Sequence, residues 1–238
     1  MLTTRIHDSL PTSSKGESAL ERATLRAVSR RLIPFLFVPY VVSFLDRVNV
    51  GFAALDTMNR DVGLSQAAFG FGAGIFFIGY SFFEVPSNLI LARTGARLWI
   101  ARIMITWGLI GSGMMFVRGP LSFYVLRFLL GVAEAGFLPG IIFYLSEWFP
   151  ADMRARTIAR FMTAIPVSVV IGWPISGALL GLRGRLGLTG WQWLFLLEGL
   201  PAVVLGVAVL RYLPDRPEAA AWLAPEQRRW LALSLIHI

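Results

Sequence analysis

The sequence predicts an all-α membrane protein with six transmembrane helices. Of its 238 residues, 56% are hydrophobic and only 15% are charged, and mean hydropathy is +0.66. An ordinary soluble domain is about a quarter charged. Apolar stretches recur at the length of about 20 residues that a bilayer-spanning helix needs. Glycine and proline are frequent inside those stretches, a habit of membrane helices. The same figures exclude a disordered chain and most soluble enzymes. Net charge is +8, but the basic residues are not in runs. A nucleic-acid partner would need a continuous basic patch, so none is expected. The chain has no cysteine, and His7 and His237 lie at its two ends. No thiolate or histidine metal site and no cofactor are therefore expected.

Residues 1–31 are polar and hold six Lys or Arg, with no apolar core and cleavage site. They read as a cytoplasmic tail, with an amphipathic helix over 18–31, rather than a signal peptide. The spans follow at about 32–54, 69–91, 98–117, 121–146, 157–182 and 191–212. Only 62–83 and 161–182 are long and free of charge. Gly70, Gly72, Gly74 and Gly79 mark the second span; Gly172, Pro174, Gly177 and Gly181 mark the fifth. Close helix packing explains most such glycines. Residues 213–238 then return to a polar composition. With the tail inside, sixteen Lys or Arg fall on the cytoplasmic side; Arg60, Arg118, Arg183 and Arg185 fall outside. That excess places both ends in the cytoplasm.

The exceptions to hydropathy carry the chemistry. Asp46 and Arg47 lie inside the first span, Arg127 and Glu134 inside the fourth. A charge at mid-membrane costs about 3 kcal/mol, so these four are expected to face a protein interior or an aqueous cavity. At 1.5 Å per residue, Asp46 and Arg127 both lie roughly 21 Å from the cytoplasmic side. Glu134, one heptad after Arg127, shares its face about 10 Å nearer the cytoplasm, where no basic residue is expected beside it. Asp46 can neutralise one arginine and leave the other to hold an anion. A carboxylate that gains or loses a proton beside an anion-binding arginine can couple the two events. The competing reading is a static Asp46–Arg127 ion pair.

Weaker signals surround these. Tyr80, near the middle of span two, could bond a substrate carboxylate or only pack. Asn49 is one turn from Asp46 and steadies the polar stretch; Glu84 and Asn88 sit near the cytoplasmic end of span two. Glu198, toward the outer side of span six, suits an inter-helix hydrogen bond, and Glu147 a contact with the Arg154 and Arg156 loop. Spans one to three and four to six each open with a helix bearing an acid and an arginine. They cross in opposite senses, as in a 3+3 inverted repeat.

The stretches SFLDRVNVGFA, GYSFFEVPSNLILARTGAR, RFLLGVAEAGFLPGIIFYLSEWFP and WLFLLEGLPAVVLGVAVLRYLPDRPEAAAWL cover about residues 30–223. Together they resemble the anion:cation symporter branch of the major facilitator superfamily, in the manner of its phthalate, hydroxyphenylacetate and tartrate permeases. The resemblance implies the N-terminal six-helix half of a twelve-helix fold. It also implies a cation-coupled carrier of organic anions, working by alternating access. By position, Asp46 and Glu134 resemble the family's protonation residues, Arg47 its carboxylate ligand, Arg127 the partner that senses Asp46, and Tyr80 a cavity-lining tyrosine. Phe44 stands where several members have tyrosine, which leans toward aromatic or less hydroxylated acids. The superfamily's loop between spans two and three reads glycine, three residues, aspartate, arginine. Here Asn88 and Ala92 hold those places, followed by Arg93, Gly95 and Arg97.

The expectation is therefore a proton-coupled symporter of aromatic or sugar-derived carboxylates, multi-pass in the cell inner membrane. Its partners are a small organic anion, a proton and membrane lipid. The domains expected are a tail at 1–31, a six-helix bundle at 32–212, and the start of a central cytoplasmic loop at 213–238. That loop gives way to SLIHI, which reads as a cut terminus with a second six-helix half, or a second copy, as the missing wall. The alternatives are an anion sensor that does not transport and a half-size protomer that dimerises. A membrane enzyme would need a nucleophile–base pair, and none is visible.

Overall fold

The computed structural model describes residues 15–236. His7, His237 and the first part of the tail lie outside the described residues. Ten α-helices follow one another, with no strand among the described residues. They are α1 (Lys15–Leu55), α2 (Met58–Val62), α3 (Gln66–Thr94), α4 (Ala96–Gly113), α5 (Pro120–Glu134), α6 (Phe137–Ser146), α7 (Ala151–Met162), α8 (Ala164–Leu180), α9 (Gly190–Tyr212) and α10 (Pro225–Ile236). Six of the resulting segments are long and apolar enough to cross a membrane: Ala19–Leu55, Gln66–Thr94, Ala96–Phe116, Pro120–Ser146, Ala151–Leu180 and Gly190–Tyr212. The six predicted spans are all present.

The first span is longer than hydropathy indicates. α1 is one helix of 41 residues that carries the described part of the tail into the span without a break, with Pro34 and Pro39 inside it. Span four is interrupted instead. α5 stops at Glu134, Ala135 is extended at ψ 130°, and Gly136 has φ +83° before α6 begins. Breaking a membrane helix frees backbone groups that need partners. Ser87 supplies one, donating to the Ala135 carbonyl at 2.7 Å, and Trp99 Nε1 donates to Ser87 Oγ at 2.9 Å. A side chain at Gly136 would collide with Ser87 and Asn88. Only glycine suits that left-handed turn and that contact.

Packing is made by close helix pairs. α3 lies on α5, α4 on α9, and α1 on α8 and α9. In the α4–α9 seam a Cβ on Gly108 would stand 2.7 Å from the Gly199 carbonyl oxygen. In the α3–α5 seam one on Gly79 would stand 2.6 Å from the Phe128 carbonyl oxygen. Small residues thus let backbones touch, which is how membrane helices gain dispersion contacts when lipid is as apolar as they are. Gly79 and Gly72 meet the packing expectation, whereas Gly70, Gly74 and Gly177 face open space. α3 and α8 are the least covered spans; Phe77, Phe82 and Val85 of one and Val170 and Trp173 of the other are exposed.

The loops gather at two ends. At one, Arg183 pairs with Asp56, Trp191 Nε1 donates to Asp61 at 2.9 Å, and Gln192 Nε2 donates to the Met115 carbonyl at 3.0 Å. At the other, basic end, the segment after α9 folds back over the helix ends. Arg31 of α1 stacks on Tyr212 and Trp222, with its guanidinium carbon 4.5 and 5.1 Å from the ring centroids. Trp222 stacks in turn on Trp148 at 6.0 Å.

Candidate functional site

Asp46 and Arg47 are neighbours on α1, so their side chains diverge by about 100° around the helix. Asp46 turns toward α4, where Trp107 Nε1 donates to its Oδ2 at 2.8 Å. Arg47 turns toward α5, where its Nη2 donates to Glu134 Oε1 at 2.7 Å. Ser43, one turn earlier on the same face of α1, donates to that same oxygen at 2.7 Å. Glu134 is fully buried, while the Arg47 side chain is 31% exposed. The pair therefore has one accessible member, the guanidinium.

Two aromatic rings of α3 complete the layer. The Arg47 guanidinium carbon lies 5.1 Å from the Tyr80 ring centroid and 5.7 Å from that of Phe76. Arg127 lies 4.7 Å from the same Phe76 ring and is buried. Its Nη2 reaches the Ala73 carbonyl at 3.5 Å, while Nε and Nη1 have no partner among the described residues. A cation over a ring face is held by the ring quadrupole. Such stacking fixes a guanidinium without using its hydrogen-bonding edges. Arg47 and Arg127 are thus positioned with donors to spare.

The structure corrects two expectations about this layer. Glu134 does have a basic partner at its depth, namely Arg47. Asp46 and Arg127 form no ion pair among the described residues. The turn of Asp46 toward α4 is one cause; the lean of the side chains is the other. Helical side chains lean toward the N-terminus of their own helix. α1 and α5 run in opposite senses, so Arg47 and Glu134 lean toward each other and close the axial gap. Asp46 and Arg127, at equal depth on the same two helices, lean apart.

Arg93, Gly95 and Arg97 lie at the basic end. Gly95 turns between α3 and α4 at φ +90°. Arg97 pairs with Asp215 at 2.9 Å, and Tyr144 donates its hydroxyl to the Pro214 carbonyl at 2.9 Å. Sequence reasoning gave no role to Asp215, whose place after span six carries no signal of a partner in the loop before span three. Arg93 lines a cavity at this basic end together with Arg97, Glu147, Asp215 and Arg216. Glu147 therefore faces Asp215 and Arg216, not the Arg154 loop; Arg154 Nε donates to the Phe149 carbonyl at 3.0 Å instead. Burial pushes the Glu147 carboxyl up from its ordinary value; Asp215 adds to the rise and Arg216 opposes it. Glu198 makes the expected inter-helix bond, accepting from Ser176 Oγ at 3.1 Å. Among the described residues no group of three or more acids or histidines could hold a metal ion.

A family model described as Major Facilitator Superfamily matches residues 36–237. The chain belongs to the major facilitator superfamily. The family is one of transporters, not of enzymes. The chain is 62% identical over 218 residues to a protein of Agrobacterium vitis named "Putative tartrate transporter", covering 92% of the chain and 50% of that protein. It is 42% identical over 214 residues to the inner membrane transport protein RhmT of Escherichia coli, covering 90% of the chain and 50% of RhmT. Among solved structures, the superfamily's proton:xylose symporter XylE aligns with a TM-score of 0.71 at 14% identity, covering 89% of this chain and 50% of that one. The chain spans about half the length of the curated relatives it matches.

Proposed function

We propose that the chain is the coupling half of a proton-driven symporter for small organic anions. The observation that carries this reading is the Arg47–Glu134 pair, in which a partly exposed guanidinium is bonded to a fully buried carboxylate. While Glu134 is ionised, it occupies the cation that an incoming carboxylate would use. A proton on Glu134 cancels that competition and frees Arg47 to take the anion. Proton and anion then load together, as symport requires. Tyr80, stacked on Arg47, is placed to contact the same anion, and Arg127 adds positive potential across Phe76. Asp46 is the second proton carrier, sensed through the field at Arg127.

The rest of the carrier follows from the same reading. Spans two and five expose apolar faces that suit lipid and a second six-helix wall, supplied by further helices or a second copy. The basic end is cytoplasmic by the charge bias, and the membrane is the inner membrane. Arg93, Gly95 and Arg97 act as a cytoplasmic gate, with Arg97 latched to Asp215 in the arrangement seen here. The relatives named for tartrate make it the first anion to test, and Phe44 makes an aromatic carboxylate the natural comparison.

The test is uptake of labelled tartrate and of an aromatic acid by the complete transporter in vesicles carrying an imposed pH gradient. Arg47→Ala abolishes binding and uptake. Asp46→Asn leaves substrate binding but separates uptake from the pH gradient. Normal coupled uptake by both variants contradicts the assignment. Binding without flux points to a sensor instead.

A further inference from the structure

Away from the Arg47 layer, a second set of buried polar atoms lies between α1, α4, α8 and α9. Asp46, Asn49, Ser112, Ser176 and Glu198 are each more than nine-tenths buried. Each carboxylate has one oxygen engaged: Trp107 donates to Asp46 Oδ2 and Ser176 to Glu198 Oε1. The other oxygen of each, Asp46 Oδ1 and Glu198 Oε2, has no partner among the described residues. Both side-chain atoms of Asn49 and the hydroxyl of Ser112 are also without one. Asp46 Oδ1 lies against Gly111 of α4, and the Ser112 hydroxyl, next in that helix, lies against Gly199 of α9, beside Glu198; Asn49 is one turn from Asp46 on α1. Orphaned buried polar atoms are rare and costly, and here they occur together.

We propose that Asp46 and Glu198 form a carboxylate pair that holds one shared proton, bridged by Asn49, so that Glu198 is a further proton-binding residue of the transporter. The hydrogen-bonding inventory favours this state over a fully ionised one. Asn49 has one acceptor oxygen and one donor nitrogen. With a proton on Glu198 Oε2, that hydroxyl can donate to Asn49 Oδ1 while Asn49 Nδ2 donates to Asp46 Oδ1. With the proton on Asp46 Oδ1 and the amide turned over, the same bonds form in reverse. Either way the orphaned atoms of Asp46, Asn49 and Glu198 gain partners, and one negative charge remains where two would repel. The proton comes from the aqueous phase and adds to a carboxylate oxygen; no other bond is made or broken. Among the described residues Asp46 is the charged group near enough to act on Glu198, and Glu134, Arg127 and Arg47 are near enough to act on Asp46 through their charge. The pair therefore sits next to the anion layer and can pass its charge state to it through Asp46. Glu198 is about 12 Å from the Gly190 end of its span, and Asp46 about 13 Å from the Leu55 end of α1. Those ends carry the loops opposite the basic end, so the pair lies toward the outer face in the proposed orientation.

This inference rests on the proton-coupled reading above, and the experiment separates the two. Initial uptake of labelled tartrate by the complete transporter in vesicles is measured across a series of external pH values. The wild type is expected to respond steeply. Glu198→Gln removes the like charge that makes Asp46 hold the proton, so its response is expected to keep its steepness and move to lower pH, by about one unit, a tenfold weaker proton affinity. Glu198→Asp keeps the second carboxylate and restores the position. Where Glu198→Gln does not reach the membrane, Asn49→Ser removes the bridge that holds the shared proton and is expected to move the response the same way. A steep wild type with the response of Glu198→Gln and Asn49→Ser at an unchanged pH overturns the pair alone. A wild type indifferent to pH overturns the proton-coupled reading and the pair with it. Uptake driven by a sodium gradient at fixed pH, and lost in Glu198→Gln, assigns the site to a metal cation and overturns the shared proton.

Discussion

Glu134 is the residue on which the account turns. Its carboxylate is fully buried and takes hydrogen bonds from Arg47 and Ser43 on one oxygen. Breaking a buried charged pair by removing one partner leaves an uncompensated charge. In this molecule the widowed charge would be Arg47, which is partly exposed and, in the proposed mechanism, free to take the anion. Glu134→Gln is therefore expected to fold, to bind tartrate at least as tightly as the wild type, and to show a shallower pH dependence of that binding. Equilibrium binding at several pH values checks this. The four intramembrane charges were legible in the sequence, because hydropathy singles them out. Their pairing was not. Depth counted from Cα positions matched Asp46 with Arg127; the turn of Asp46 toward α4 and the opposed lean of side chains on antiparallel helices exchanged the partners. The buried polar set of Asn49, Ser112 and Glu198 was also hidden, since it gathers from spans one, three and six without a charge pattern in any.

Element boundaries were legible to within a few residues where hydropathy changes sharply, as at span six. The break in span four was not, because EAGF reads as continuous apolar helix when only composition is considered. Gly136 is what ends α5 directly after Glu134, and it does so at φ +83° against Ser87. A left-handed backbone costs a residue with a Cβ roughly 1–2 kcal/mol, before any collision is counted. Gly136→Ala is thus expected to lower the thermal stability of the purified protein and to depress uptake, since it disturbs the turn that presents Glu134. Gly70→Ala, which meets open space, should be close to neutral in the same melting assay. Equal effects from the two substitutions would remove the special role given to the turn.

At the scale of the whole molecule, the fold class followed from composition and six apolar segments, and the superfamily from long motifs in the expected order. The folded segment after span six did not follow. Arg31, Tyr212, Trp222 and Trp148 form a stack that ties α1 to the chain beyond α9, and separated aromatic and basic residues announce no such contact. The basic end also carries a pH signature. Burial raises the Glu147 carboxyl, so its ionised form is disfavoured in the folded protein. That cost is absent while the group is protonated in both states and grows as pH rises above the ordinary carboxylate value, about 4.3. Glu147→Gln is expected to raise the melting temperature at neutral pH and to leave it unchanged under acid conditions below that value. A gain of the same size at both would place its origin in packing rather than charge.

The central claim is that anion and proton load together because Glu134 and the anion compete for Arg47. It is tested most directly by following the internal pH of vesicles that contain the complete transporter, with a trapped pH-sensitive dye, when tartrate is added outside with no gradient imposed. The account predicts acidification of the interior that depends on tartrate and is smaller per tartrate taken up in Glu134→Gln. Tartrate entry with no change in internal pH would contradict it.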